Sequence, residues 1–357
     1  MEKTVGLLLI IGLGLLLQTK IKSKEQLKGI KLLILSIALP ATIFVALLNV
    51  RLTPELLLLP LAALILNFVF LGVFHLVLKQ YGHISSRNRT MLMLMPSLAP
   101  GLSCFPFIAE YLGDEPLAMA AMADVGNKFF VLIFLYTLAM KWYYGKKQVG
   151  DQLNKSSVKE LIVSLLNEPI NIVMLLAFAL LAFDINLHTL PTFISIPVER
   201  LSAIMAPLVL LFIGMAVKIR KQEVTFLLQM LSLRAGIAFC LAAAVIYLLP
   251  GISVSMALLI LVFGQSSCSF WPFAHMSVVN ELEMNTKRKT FDVDMAISVL
   301  ALSLPFSTFI ILGILSFPQI ANYPIYIFGI GFLLILAHMI PATVSKFKRT
   351  ELSPSAQ

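Results

Sequence analysis

Charged and amide side chains that interrupt long apolar stretches are the first places in this sequence where chemistry could be done. Asp124, Asn127 and Lys128 stand in the run DVGNKFF. Asp124 and Lys128 are four residues apart, so on a helix they share a face, with Asn127 beside them. Such a pair has two readings. Lys128 can offer a cation to a substrate carboxylate while Asp124 neutralises it in the empty site, or the two can form a permanent structural pair. A second group follows Gly264: Gln265, Ser266, Ser267, Cys268 and Ser269, then Trp271 and Pro272. The oxygens of Gln265, Ser266, Ser267 and Ser269 suit a cation or a polar substrate, and they serve equally well as hydrogen bonds between helices. His275 lies one turn beyond Pro272. An imidazole in a membrane can relay protons, because it titrates near ambient pH, or it can bond to a neighbouring helix.

The third group is MPSLAPGLSCFP, with Pro96, Pro100 and Pro106 alongside Gly101, Ser103 and Cys104. Proline inside a helix removes a backbone hydrogen bond and clashes with the preceding turn. In lipid, the freed groups are tolerated only where they are buried in protein or face a wet cavity. Both breaker-rich stretches mix prolines with small hydroxyl or amide residues, the pattern of a pair of discontinuous helices. Half-helix N-termini meeting near the midplane would present partial positive charge and N–H donors to an anion. On this reading Trp271, next to the breaker Pro272, lines or gates the pocket; plain kinked packing helices are the alternative. Glu110 ends the first of these stretches, where it can reach water. Asn167, Glu168 and Asn171, and Asp292 with Asp294, read as helix-boundary features. His75, His338 and Trp142 read as packing or interface residues.

The elements that must hold these groups are set by composition. Of 357 residues, 59% are hydrophobic and only 13% charged, with a mean hydropathy of +0.94. So few charges cannot cover the surface of a water-soluble globule, and disorder is excluded by the same apolar content. Cys104, Cys240 and Cys268 lie in apolar segments, with neither disulfide nor zinc spacing. A helix needs about 20 apolar residues to cross a bilayer. Eleven stretches qualify: about 4–19, 32–49, 55–78, 91–112, 117–140, 161–183, 198–217, 224–249, 254–279, 293–316 and 321–343. The lysines follow the first stretch instead of preceding it, which argues against a signal peptide. Of the 27 Lys and Arg residues, 22 fall in one alternate set of connections and the C-terminal tail. That bias predicts an outside N-terminus and a cytoplasmic C-terminus, and it reads the net charge of +9 as a topology signal with no nucleic-acid role.

The sequence also repeats. LSIALP (Leu35–Pro40) echoes LSAIMAP (Leu201–Pro207), and SCFPF (Ser103–Phe107) echoes SFWPF (Ser269–Phe273). Pro207 follows Pro40 by 167 residues, and Pro272 follows Pro106 by 166. One shift therefore lays the first five spans on the next five. Five is odd, so the second set enters the membrane inverted, as in many secondary transporters. The expected fold is an all-α integral membrane protein with an inverted repeat of 5+5 transmembrane helices, plus an eleventh C-terminal helix. Its units are 1–141, a cytoplasmic linker 142–160, the second repeat 161–316, the extra helix 317–345 and a tail 346–357. No metalloprotease, P-loop, nucleophile-elbow or aspartate-rich diphosphate motif is found. The expectation is a gradient-driven carrier and not an enzyme, with no cofactor and with H+ or Na+ as the coupling ion.

Several segments resemble the auxin efflux carrier family of permeases, in the bile/arsenite/riboflavin transporter superfamily. They are GLLLIIGLGLLL, LLILSIALPATIF, GLSCFPFIAEYLGDEPL, LLNEPINIVMLLAFALLAF, IMAPLVLLFIGMAV and ISVLALSLPF, which together cover residues 1 to about 315. The resemblance implies a ten-helix inverted repeat related to the bile-acid:sodium symporters, with broken fourth and ninth helices that cross. It implies small organic anions such as dicarboxylates or indole acids as substrates, a bacterial cytoplasmic membrane location and a homodimer. In the family pattern Asn-x-Gly-x-x-Gly-x-Pro, Gly101 and Pro106 match, while the Asn falls on Ala99 and the second Gly on Cys104. The absent Asn makes a non-transporting sensor on the same fold an alternative, and a sodium-coupled carrier using Gln265 and its serines is another. The eleventh span is a further departure.

Overall fold

The computed structural model describes residues 2–21, 23–49, 58–80, 85–147, 163, 169–216, 224–283 and 289–351. Apart from one isolated backbone bridge, the described residues form helices and their connections. Helix forms within every one of the eleven apolar stretches. In chain order the helices are α1 (Glu2–Leu17), α2 (Glu25–Leu48), α3 (Leu59–Gln80), α4 (Ser86–Leu94), α5 (Pro100–Ser103), α6 (Phe105–Tyr111) and α7 (Asp114–Gly145). The second half supplies α8 (Pro169–Ala182), α9 (Thr192–Met215), α10 (Val224–Leu248), α11 (Val254–Gly264), α12 (Phe270–Leu282), α13 (Val293–Ser316) and α14 (Pro324–Glu351).

Six of these, α2, α3, α7, α9, α10 and α13, are long and apolar enough to cross a membrane. The others carry shorter apolar lengths, or are the pieces of the two interrupted stretches. Large apolar side chains such as Leu9, Leu16, Leu61, Leu76, Phe309 and Ile325 lie exposed on the outside. Apolar exposure spread over so many helices suits a hydrocarbon solvent.

Some helix starts differ from those the hydropathy predicts. α2 begins before the apolar run because Ser23 caps it: Gln26 N donates to Ser23 Oγ (3.1 Å), and Ser23 N donates to Gln26 Oε1 (3.2 Å). Lys28 and Lys31 therefore lie on a helix and not in a loop. α9 likewise starts at Thr192, directly after Pro191. Arg87 and Arg89 also lie on α4, Lys141 on α7, and Lys346, Lys348 and Arg349 on α14, which runs on to Glu351 into the tail expected from residue 346. The connections 148–162, 217–223 and 284–288 lie outside the described residues.

Two spans contain a π-helical turn, Ile34–Ala38 in α2 and Phe130–Phe134 in α7. The first directly precedes Leu39 and Pro40. Pro40 cannot donate to the carbonyl four residues back, and the wider register accommodates its ring.

Close helix approach explains two pairs of glycines. A Cβ on Gly14 would strike the backbone of Leu211, and one on Gly214 would strike that of Ile11, so α1 and α9 pack backbone to backbone. Gly12, expected to play the same part, has open space beside it. A Cβ on Gly236 would meet Gly331 O at 2.6 Å, so the eleventh span, α14, packs intimately along α10 within the chain. His338 on α14 bonds back to Gln229 O (3.1 Å), in keeping with its packing role.

Candidate functional site

The two interrupted stretches meet. Residues 95–99 separate α4 from α5, and residues 265–269 separate α11 from α12. Leu98 and Cys268 form an antiparallel bridge in which Ala99 N donates to Ser267 O (2.9 Å) and Ser269 N donates to Ser97 O (3.2 Å). Side chains take up further backbone groups. Ser267 N donates to Ser103 Oγ (2.8 Å), and that hydroxyl donates to Ala99 O (2.8 Å). Cys268 N donates to Ser303 Oγ (3.3 Å) on α13. Buried backbone polar groups need partners, and here each break serves the other.

This placement takes the amides of the unwound residues out of the set of donors that could face an anion. The amides of Ala99, Ser267, Cys268 and Ser269 are all used within the protein. It also moves the second break. Pro272 does not interrupt the helix; it sits in the first turn of α12, where its missing N–H costs nothing. Pro100 and Pro106 occupy the same kind of position in α5 and α6. Gly101 is half-buried, and a Cβ there would come within 3.1 Å of Leu39 Cδ2, so α2 packs on this break. Cys104 is fully buried between α5 and α6.

Beside the breaks lies a buried polar cluster on α7. Lys128 Nζ is 3.5 Å from Asp124 Oδ2, and both residues are almost fully buried, with 6% and 3% exposed. Asn127 Nδ2 donates to Asp124 Oδ1 (2.8 Å) and to Leu98 O in the first break (3.0 Å). The ion pair is thus tied to the bridge through one amide.

Three residues that sequence reasoning did not assign to the site join it. Asn67 on α3 donates through Nδ2 to Asn127 Oδ1 (3.2 Å) and to Ala63 O (2.9 Å), and its own Oδ1 is buried without a partner among the described residues. Asn171 on α8, expected at a helix boundary, is buried and accepts from Lys128 Nζ (3.4 Å). Arg234 on α10 donates through Nε to Pro96 O (3.1 Å) and through Nη2 to Ser266 O.

The side chains of the remaining candidates bond as follows. Gln265 Nε2 donates to Ala235 O (3.0 Å) on α10 and Ser266 Oγ to Phe263 O (2.6 Å) within its own helix end. Ser269 Oγ accepts from Trp271 N (3.3 Å), and the Trp271 side chain is half-buried. His275 Nε2 lies 2.8 Å from Val131 O, in the π turn of α7, and its ring meets Tyr136 edge-on. That is the helix-to-helix bond of its two readings. Asp292 caps α13, accepting from Met295 N (3.1 Å), and pairs with Arg87 (3.4 Å). Glu110 is exposed. Asn167 and Glu168 lie outside the described residues.

A cavity of about 350 Å³ opens between α3, α7, α10 and α11, lined only by apolar residues, among them Ala63, Met119, Ala123, Ala242 and Gly264. It ends where α11 breaks. Neither Asp124 nor Lys128 lines it. A search with models of known protein families finds no match to this chain, and no curated protein matches it either.

Proposed function

We propose that this chain is a secondary-active permease for a small organic anion, a carboxylate, of the auxin efflux carrier type. On this reading the units 1–141 and 161–316 are inverted repeats, and the two breaks mark where their fourth helices cross. The observation that carries it is the bond from Asn127 to Leu98 O, which joins a buried Asp124–Lys128 pair to the meeting point of two interrupted helices. A buried ion pair is a poor device for stability, because desolvation offsets much of its attraction, so its presence favours a working role. Lys128 meets the substrate carboxylate, Asp124 holds the lysine charge when the site is empty, and Asn127 and Asn171 orient both. One bundle then rocks against the other around the breaks.

A further relation supports the repeat. The shift of 167 residues between Pro40 and Pro207 also carries Asn67 onto Arg234, and each is a buried polar residue in its span. Chance matches of short motifs give no reason for the two polar intrusions to coincide.

The test is uptake of radiolabelled mono- and dicarboxylates into liposomes holding the purified protein. Saturable flux of at least one acid, lost in Lys128→Ala, is the expected result. The absence of flux across a broad panel would overturn the transport reading. Binding without flux would favour the sensor alternative, which draws on Ala99 leaving the break without the family's amide side chain.

A further inference from the structure

The place where the breaks meet already contains a cation. Arg234 is 3% exposed in the middle of α10, and no carboxylate among the described residues pairs with it. Among the described residues its acceptors are the carbonyls of Pro96 and Ser266, each two residues past the end of a helix: α4 ends at Leu94 and α11 at Gly264. The last carbonyls of a helix lack intrahelical donors and carry the negative end of its dipole. Both acceptors lie just beyond such an end, and both converge on one guanidinium. The Phe70 ring, with its centroid 5.5 Å from Arg234 Cζ, adds its negative face.

Without this side chain the two carbonyl oxygens would lose their donor in a low-dielectric setting, and carbonyl oxygen is the ligand type that a hard metal cation takes. A buried guanidinium needs compensation, and here it comes from helix ends instead of a carboxylate.

We infer that Arg234 is a resident cation, holding the position between the two broken helices that a sodium ion would otherwise occupy, so that the folded protein takes no metal cation there. Of the two coupling ions the sequence admits, sodium then has no place at the breaks. The inference does not require the chain to transport anything, and its test reads stability in place of flux.

The experiment compares thermal unfolding of the purified protein in sodium, potassium and choline chloride at equal ionic strength. The wild type should melt within about 1 °C in all three. Arg234→Ala should melt about 5 °C lower or more in choline and recover at least half of that loss in sodium or in low-millimolar guanidinium. Sodium-specific stabilisation of the wild type would overturn the inference, as would a loss in Arg234→Ala that neither cation restores. If the alanine variant does not fold, Arg234→Lys and Arg234→Met decide. The lysine variant should be the more stable of the two, and a methionine variant equal to or above it would overturn the assignment.

Discussion

Lys128→Met is expected to lower stability by about 3–5 kcal/mol, because it leaves a charged group buried without its partner. Among the described residues Asp124 would keep only the Asn127 amide as a side-chain donor, at 3% exposure. The double variant Asp124→Leu/Lys128→Met removes both charges and should recover most of that loss. Binding separates the two readings of the pair. If Lys128 meets the substrate, the double variant stays folded but binds a carboxylate about 10- to 100-fold more weakly, the worth of one charge-assisted hydrogen bond. If the pair is purely structural, the double variant binds as the wild type does. Thermal unfolding and equilibrium binding on the same preparations supply both readings.

The second large effect is expected at Asn127. Its amide accepts from Asn67, donates to Asp124 and donates to Leu98 O, so it connects α3, α7 and the first break. Asn127→Leu keeps the branched shape and removes all three bonds. Each buried polar group left unpaired costs about 1–3 kcal/mol. Two acceptors lose a donor, so a loss of about 3 kcal/mol is expected, measured by thermal or denaturant unfolding in detergent. Ser277→Ala is the contrast. Its hydroxyl is half-buried and, among the described residues, bonds only to Phe273 O in its own helix, and the change should stay within about 0.5 kcal/mol.

The helices were legible in the sequence because each lies in a long apolar stretch, and six of them have the length and composition to cross a membrane. The first break was legible because Pro96, Pro100 and Gly101 crowd into one stretch. The second was legible in existence but not in place. Pro272 marks the first turn of the resumed helix, and the unwound residues are the polar ones before it, Gln265 to Ser269. The Asp124–Lys128 pair was readable from its spacing alone.

Asn67, Asn171 and Arg234 were not assigned to the site, because a lone polar residue in an apolar run does not say which way it points. The 167-residue shift between Pro40 and Pro207 held a usable signal, since it lays Asn67 on Arg234. Gln265 and His275 show the converse. Their chemistry suggested ligands, but a neighbouring helix supplies a backbone carbonyl to each, at Ala235 and Val131. The π turn that offers Val131 O has no sequence mark of its own.

The most direct measurement is a cross-link between the two breaks. Leu98 and Cys268 face each other as a non-hydrogen-bonded antiparallel pair, since the flanking bonds run from Ala99 to Ser267 and from Ser269 to Ser97. Such pairs have Cα atoms about 4.5 Å apart, within the range a disulfide spans. Leu98→Cys, in a background carrying Cys104→Ala and Cys240→Ala, should oxidise with the native Cys268. A protease site inserted between residues 150 and 155 then separates the halves. Joined halves that part only on reduction are the expected result, and halves that separate under oxidising conditions would contradict the meeting of the two broken helices.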